Sequence, residues 1–115
     1  MICLAKNKSK KFDKLIRDKI PEIIEANGSK AVIEVLDDES YHKYLNAKLE
    51  EELKEYKESC NIEELADLVE VVYALLDYKN ISLKQFEAMR ISKAIERGAF
   101  KKRLLLKEVV VCEKD

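Results

Sequence analysis

Proline and glycine are scarce, with one and two residues among 115. So few turn formers exclude a loop-rich or many-stranded β fold. The three cysteines, Cys3, Cys60 and Cys112, are odd in number and far apart. They exclude a disulfide framework and any CxxC metal site, and they suit a reducing cytoplasm. The single histidine, His42, has no Cys or Asp pattern around it and reads as a surface residue. No Glu-x-x-His occurs, which argues against a carboxylate-bridged di-iron bundle. No apolar run approaches the ~20 residues that span a bilayer, so no membrane partner is expected. No N-terminal stretch combines a basic start, an apolar run and a small-residue cleavage site, so secretion is not expected. Neither charge sign dominates. Lys and Arg total 22, Asp and Glu 23, for a net charge of -1. That balance argues against a nucleic-acid polymer as partner.

What the chain does hold is 47% apolar and 39% charged residues, a composition typical of amphipathic helices. Its length suits one domain. Residues 1–11, rich in Lys, Asn and Ser, read as a loose tail, and 12–115 as a single helical domain. Asp18 is the expected N-cap of a short helix with Pro21 in its first turn, ended by Asn27-Gly28. Residues 31–36 (Ala-Val-Ile-Glu-Val-Leu) and 103–111 (Arg-Leu-Leu-Leu-Lys-Glu-Val-Val-Val) read as two strands of a small β-ribbon. Such a ribbon needs packing from the helices or from a second subunit. Three longer helices lie between. The first follows Asp37-Asp38 and runs to about Glu58, with Leu45, Leu49, Leu53 and Tyr56 as its stripe. The second begins at Asn61, where Glu64 fits a capping box, and ends near Lys79-Asn80. The third begins at Ser82, with Gln85 three residues on, and stops at Gly98. The expected fold is therefore mainly α: an antiparallel helical bundle of about four helices with a small β-ribbon.

The informative feature is the short loop at residues 59–61, which forces the flanking helices to run antiparallel. Glu55 and Glu64 are equidistant from the turn centre, and so are Glu52 and Asp67. Equal distance from the turn means equal height in an antiparallel pair. Each i, i+3 pair spans only ~4.5 Å along its helix axis, so the four carboxylates can converge. On the second helix Ile62, Leu65, Val69, Val72, Tyr73 and Leu76 form one apolar face. Glu63, Glu70 and Asp77 form the solvent face. Glu64 and Asp67 lie on neither and head a second apolar stripe through Leu68, Val71, Ala74 and Leu75. A helix with two apolar faces is expected to be mostly buried.

Four ionised carboxylates within ~5–6 Å repel one another, so they protonate, splay apart or bind a cation. All-oxygen ligation selects a hard cation, Mg²⁺ or Mn²⁺, with Ca²⁺ a further candidate. Mg²⁺ commonly shares its shell with water and substrate phosphates, which points to phosphoryl chemistry. The plain alternative is chance in an acid-rich chain, with Glu64 a capping-box partner and Glu52 and Glu55 a solvated face paired with Lys48 and Lys54.

Lys48-Leu-Glu-Glu-Glu-Leu-Lys-Glu-Tyr56, followed by Glu64-Leu-Ala-Asp67, resembles the EExxE…ExxD signature of the MazG-like all-α nucleotide pyrophosphohydrolases. That superfamily includes phosphoribosyl-ATP pyrophosphohydrolase. Two further blocks, Leu15-Ile-Arg-Asp-Lys-Ile-Pro-Glu-Ile-Ile24 and Glu96-Arg-Gly-Ala-Phe-Lys-Lys-Arg103, resemble those of a small branch of the group, in the same order. The resemblance implies Mg²⁺-dependent hydrolysis of a nucleoside triphosphate, or a related nucleotide, to monophosphate and pyrophosphate, as in nucleotide-pool house-cleaning. It implies that Glu52, Glu55, Glu64 and Asp67 hold the metal. It implies catalytic roles for Glu51, Glu52 and Glu55, with Glu51 in an outer position or orienting water. The short gap from Glu55 to Glu64 departs from the wider pattern and leaves base preference open.

A triphosphate needs cationic partners. Arg17 and Lys19 precede a helix start, and Lys93 and Arg97 lie one turn apart on the last helix. All four are candidate phosphate ligands, against the alternative of ordinary helix-end and surface charges. Lys101, Lys102 and Arg103 read as a solvated run. Tyr41, Tyr44 and Tyr56 can stack on a base, but at helical spacing they read better as core. Cys60 carries no nucleophile signature. The apolar surface of the second long helix exceeds what a small monomer covers easily, so a homo-oligomer, a dimer or larger, is expected. The rival reading of the whole chain is a non-catalytic oligomeric helical interaction module with surface acids.

Overall fold

The computed structural model describes residues 9–113. Cys3 and most of the expected N-terminal tail, residues 1–8, lie outside the described residues; Ser9, Lys10 and Lys11 are exposed coil. Four helices follow in order: α1 (Ile20–Ala26), α2 (Asp38–Ser59), α3 (Ile62–Tyr78) and α4 (Leu83–Arg97). The fold is mainly α, as expected, and among the described residues no helix is long and apolar enough to cross a membrane. The chain divides into two compact units, one ending at Ile81 and the other beginning at Ser82.

In the first unit α2 and α3 pack against each other as a hairpin. Asp37 caps α2, its side chain accepting from the Ser40 backbone N–H at 2.8 Å. That hydrogen bond holds the exposed Asp37 carboxyl below its ordinary value. The helix ends at Cys60, whose backbone is left-handed (φ 54°) and whose N–H donates to the Tyr56 carbonyl. Asn61 starts α3, and its N–H donates to Ser59 Oγ at 3.1 Å. The turn is therefore two residues long, with no slack in the register of one arm on the other. The core is small. Leu45 on α2 and Val71 on α3 are the buried apolar residues, at 1% and 8% exposure, with Glu52 beside them at 6%.

The two apolar faces of α3 are unequally covered, Leu65, Val72 and Leu76 of the first face being half-buried. Leu68, Val71, Ala74 and Leu75 are buried or half-buried, whereas Ile62, Val69 and Tyr73 are exposed. In the first unit α2 is the helix that packs on α3, and α3 there is partly rather than mostly buried. At the far end of the hairpin the Tyr41 and Tyr78 rings meet edge-to-face at 5.9 Å. His42 is not a free surface residue: its ring stacks on Tyr78 at 4.8 Å and is half-buried. Burial and the charges of Asp77 and Asp18 push the Tyr41 hydroxyl above its ordinary value.

Two cap expectations change. Lys19, not Asp18, is the N-cap of α1, and no side chain caps it; Pro21 sits in the first turn as expected. Asn61 caps α3 without a side-chain bond, so the Asn61/Glu64 capping box does not form. Glu64 is turned to the acids of α2 instead, which leaves its ordinary helix-end role vacant. In the second unit Ser82 and Gln85 do form a capping box, at 3.1 and 2.9 Å, and Gly98 ends α4 at φ 84°.

No strand occurs among the described residues, so the expected β-ribbon is not formed there. Residues 31–36 and 103–111 carry the β-branched character of strands, but neither pairs. Val32, Val35 and Leu104 to Leu106 are exposed, as are Val109, Val110 and Val111. Strand propensity is realised only where a second backbone supplies the ladder, and a lone two-stranded ribbon is marginal.

Candidate metal centre

The hairpin brings three of the four expected ligands into one set, and Glu55 joins only through Glu52. Glu52 from α2 and Glu64 and Asp67 from α3 each offer a carboxylate oxygen within 4.8 Å of the others. Glu51, Glu52 and Glu55, all on α2, form a second set within the same distance. Glu52 belongs to both and joins them. Spacing accounts for Glu52 meeting Asp67 and Glu64 across the two-residue turn, whereas Glu55, the expected partner of Glu64, is grouped with the acids of its own helix.

Burial separates these acids from a solvated charge face. Glu52 is buried, and Glu51, Glu55, Glu64 and Asp67 are half-buried. Glu52 Oε2 and Glu64 Oε2 are both shut away from solvent with no hydrogen-bond partner. A buried carboxylate oxygen without a donor is costly, and native structures seldom tolerate one without a proton, a water or an ion. Desolvation pushes the Glu52 carboxyl above its ordinary value; the Lys48 ammonium opposes this, and the neighbouring Glu55 carboxylate adds to it. Glu51 goes the other way. Burial pushes it up, but Lys14 and Lys48 together outweigh burial and hold it below the ordinary value.

Three cations reach the cluster. Lys48 Nζ lies 3.4 Å from Glu51 and 3.3 Å from Glu52, one turn back along α2. Lys14 Nζ donates to Glu51 Oε1 at 3.1 Å. Arg17 Nη2 donates to Asp67 Oδ1 at 2.7 Å. Among the described residues Glu55 and Glu64 have no basic partner. Of the four candidate phosphate ligands, then, Arg17 stands at the acids. Lys19 is exposed at the α1 start without an ion pair among the described residues, and Lys93 and Arg97 are exposed on α4 in the second unit. Tyr56 is half-buried, and Tyr44 has Lys43 Nζ 5.8 Å from its ring centre. Cys60 and Cys112 are free and exposed.

Lys14 was not legible as a site residue. Its one signal is position, three residues before Arg17 in a stretch that returns to the hairpin. Lys48 was legible only as an i, i+4 partner of Glu52, not as a half-buried counter-ion.

The donor set fits a hard divalent cation. It is all oxygen, drawn from two rigid helices, and two of its oxygens are buried and unpartnered.

Comparison with known proteins adds little to this geometry. No protein-family model matches the chain, and no solved structure matches it. A protein of Mycolicibacterium smegmatis described as an uncharacterized protein is 49% identical over 43 residues. The matched stretch covers 37% of this chain and 44%, less than half, of that relative.

Proposed function

We propose that the chain is a Mg²⁺-dependent nucleotide pyrophosphohydrolase of the MazG-like kind. It cleaves a nucleoside triphosphate, or a related nucleotide, between the α- and β-phosphates. The observation that carries this reading is the pair of buried, unpartnered oxygens, Glu52 Oε2 and Glu64 Oε2, inside a five-acid cluster drawn from both arms of one hairpin. The resemblance of the Glu51–Asp67 region to the EExxE…ExxD signature supplies the reaction. The setting we propose is cytoplasmic, and the assembly a homo-oligomer joined through the exposed α3 stripe of Ile62, Val69 and Tyr73.

Glu52, Glu55, Glu64 and Asp67 hold the cation, Mg²⁺ or Mn²⁺. Bound there, it supplies Lewis acidity at a phosphoryl oxygen and neutralises phosphate charge. The chain's own groups do the rest. Glu51, kept ionised by Lys14 and Lys48, accepts a hydrogen bond from the attacking water and orients it toward the α-phosphorus. The arms of the hairpin fix the acids in one geometry, so little reorganisation accompanies reaction. Water attacks phosphorus and gives a proton to Glu51, the α–β bridging P–O bond breaks, and pyrophosphate leaves with that oxygen. Arg17 adds positive charge beside the site for the phosphate chain.

The rival reading, a non-catalytic helical interaction module, gives the acids no reason to be buried without partners. A panel of nucleotides assayed for pyrophosphate release, with and without Mg²⁺, separates the two. Metal-dependent pyrophosphate, lost in Glu55→Gln and Asp67→Asn, is the expected result. Unchanged turnover in both variants would remove the assigned site, and no release from any nucleotide would favour the interaction module.

A further inference from the structure

Five carboxylates, Glu51, Glu52, Glu55, Glu64 and Asp67, face three cations, Lys14, Arg17 and Lys48. The acids outnumber the bases that pair with them. The three cations are not equivalent. Lys48 rises from the same helix as Glu51 and Glu52 and cannot leave. Lys14 holds Glu51, which lies outside the proposed ligand set. Arg17 alone comes from outside the hairpin to a proposed ligand, Asp67, at 2.7 Å, and its side chain is 56% exposed. The irregular stretch that carries it, before α1, binds the acids through Lys14 and Arg17.

The guanidinium takes one oxygen of Asp67, Oδ1, and its positive charge beside that carboxylate opposes a cation there. Yet so exposed a pair is weak and easily exchanged. The planar N–H fork that fits a carboxylate fits a phosphate equally well, and it stays charged at any working pH.

We infer that Arg17 is an exchangeable counter-ion: it occupies Asp67 while no cation is bound, and passes to the phosphate chain of the substrate when a cation takes that carboxylate. This rests on the metal reading above. It deepens that reading, because one residue then couples the two ligands. A phosphate that draws Arg17 away frees Asp67, so phosphate tightens cation binding. By linkage the cation tightens phosphate binding by the same factor. The unpartnered Glu52 Oε2 and Glu64 Oε2 give the incoming cation ligands that need no exchange, and Asp67 is the proposed ligand held from outside the hairpin.

The test is binding, not turnover. Mn²⁺ alone is titrated into the full chain, read by the electron paramagnetic resonance of the free ion. Wild type, Arg17→Ala, Arg17→Gln, Asp67→Asn and the Arg17→Ala/Asp67→Asn double variant are compared, with helix content checked by circular dichroism. Arg17→Ala and Arg17→Gln are expected to bind Mn²⁺ about two- to fivefold more tightly than wild type, the range set by an exposed ion pair. The gain is expected to vanish in the Asp67→Asn background. Inorganic tripolyphosphate is expected to tighten Mn²⁺ binding to wild type more than to Arg17→Ala, after correction for Mn²⁺ bound by tripolyphosphate itself. Mn²⁺ binding that is unchanged or weaker in both Arg17 variants overturns the exchange, as does the same gain with Asp67→Asn present. Wild type that binds no Mn²⁺ overturns the metal reading and the exchange together, so the two failures are told apart.

Discussion

Glu52 and Glu64 stand on opposite arms of one hairpin, offer carboxylate oxygens within 4.8 Å of each other, and each keep Oε2 buried without a partner. Like charges held this way cost the free protein stability. An ion that binds the folded chain and not the unfolded one reverses that cost. Mg²⁺ or Mn²⁺ at about one hundred times its dissociation constant is expected to stabilise the fold by about 2.7 kcal/mol. For a domain of this size that is a rise of roughly 10 °C or more in melting temperature. Scanning fluorimetry or calorimetry with and without the ion measures it. Glu52→Gln and Asp67→Asn should abolish most of the shift, and a wild type indifferent to both ions would remove the metal centre.

The same burial gives a pH dependence with a definite sign. Burial raises the Glu52 carboxyl above the ordinary 4.5. Below 4.5 the group is protonated whether folded or unfolded and costs nothing. As pH climbs from there through its raised folded value, the unfolded chain sheds the proton first, and stability is lost. Glu51, held low by Lys14 and Lys48, works in the opposite sense: its contribution is present above 4.5 and is lost on acidification. Urea denaturation of metal-free protein across pH 4–8 is expected to show the Glu52 loss in wild type and not in Glu52→Gln. A Glu52→Gln profile parallel to wild type would mean that Glu52 is ordinary in the folded state.

Cys60 is the L-residue on which the hairpin turns, and its φ of 54° is left-handed. Only glycine takes that conformation without a steric penalty, which for other residues is about 1–2 kcal/mol. Cys60 Sγ makes nothing but a long contact, 3.9 Å to the Lys57 carbonyl. Cys60→Gly should therefore stabilise the chain by about 1 kcal/mol, read as a higher urea midpoint at unchanged slope, less a small cost in unfolded-chain entropy. A lower midpoint would mean that the thiol holds the turn in a way its contacts do not reveal.

The acids were legible because they obey local rules. A two-residue loop and i, i+3 spacing bring Glu52, Glu64 and Asp67 together whatever the rest of the chain does, while two apolar stripes on one helix did not tell which side is buried more deeply. Helix limits followed from caps at Asp37, Ser82 and Gly98. What escaped depends on distant backbone. Residues 31–36 have the side chains of a strand, but a ladder needs a neighbour, and sequence does not name one. Lys14 and Arg17 reach the cluster because an irregular stretch folds back, and no periodicity reports that. Glu64 had two roles open to it, cap or cluster, and only packing decided between them.

The exposed residues of α3 motivate the assembly we propose. Ile62, Val69 and Tyr73 recur at helical spacing and are exposed, while Val71 is buried and Leu68 and Leu75 are half-buried. An amphipathic helix that shows water a second apolar face is an association surface. Closed pairing of identical chains, with that face self-complementary, is the commonest way to cover it. Light scattering coupled to gel filtration is expected to find a dimer or larger. Val69→Glu places a charge at the centre of the stripe and should drive the protein toward monomer. Because Val69 is exposed and distant from Leu45, the hairpin should keep its helix content by circular dichroism. A wild type that is monomeric at tens of micromolar, with Val69→Glu no different, would show that the chain tolerates the open face and that the acid cluster is complete in one copy.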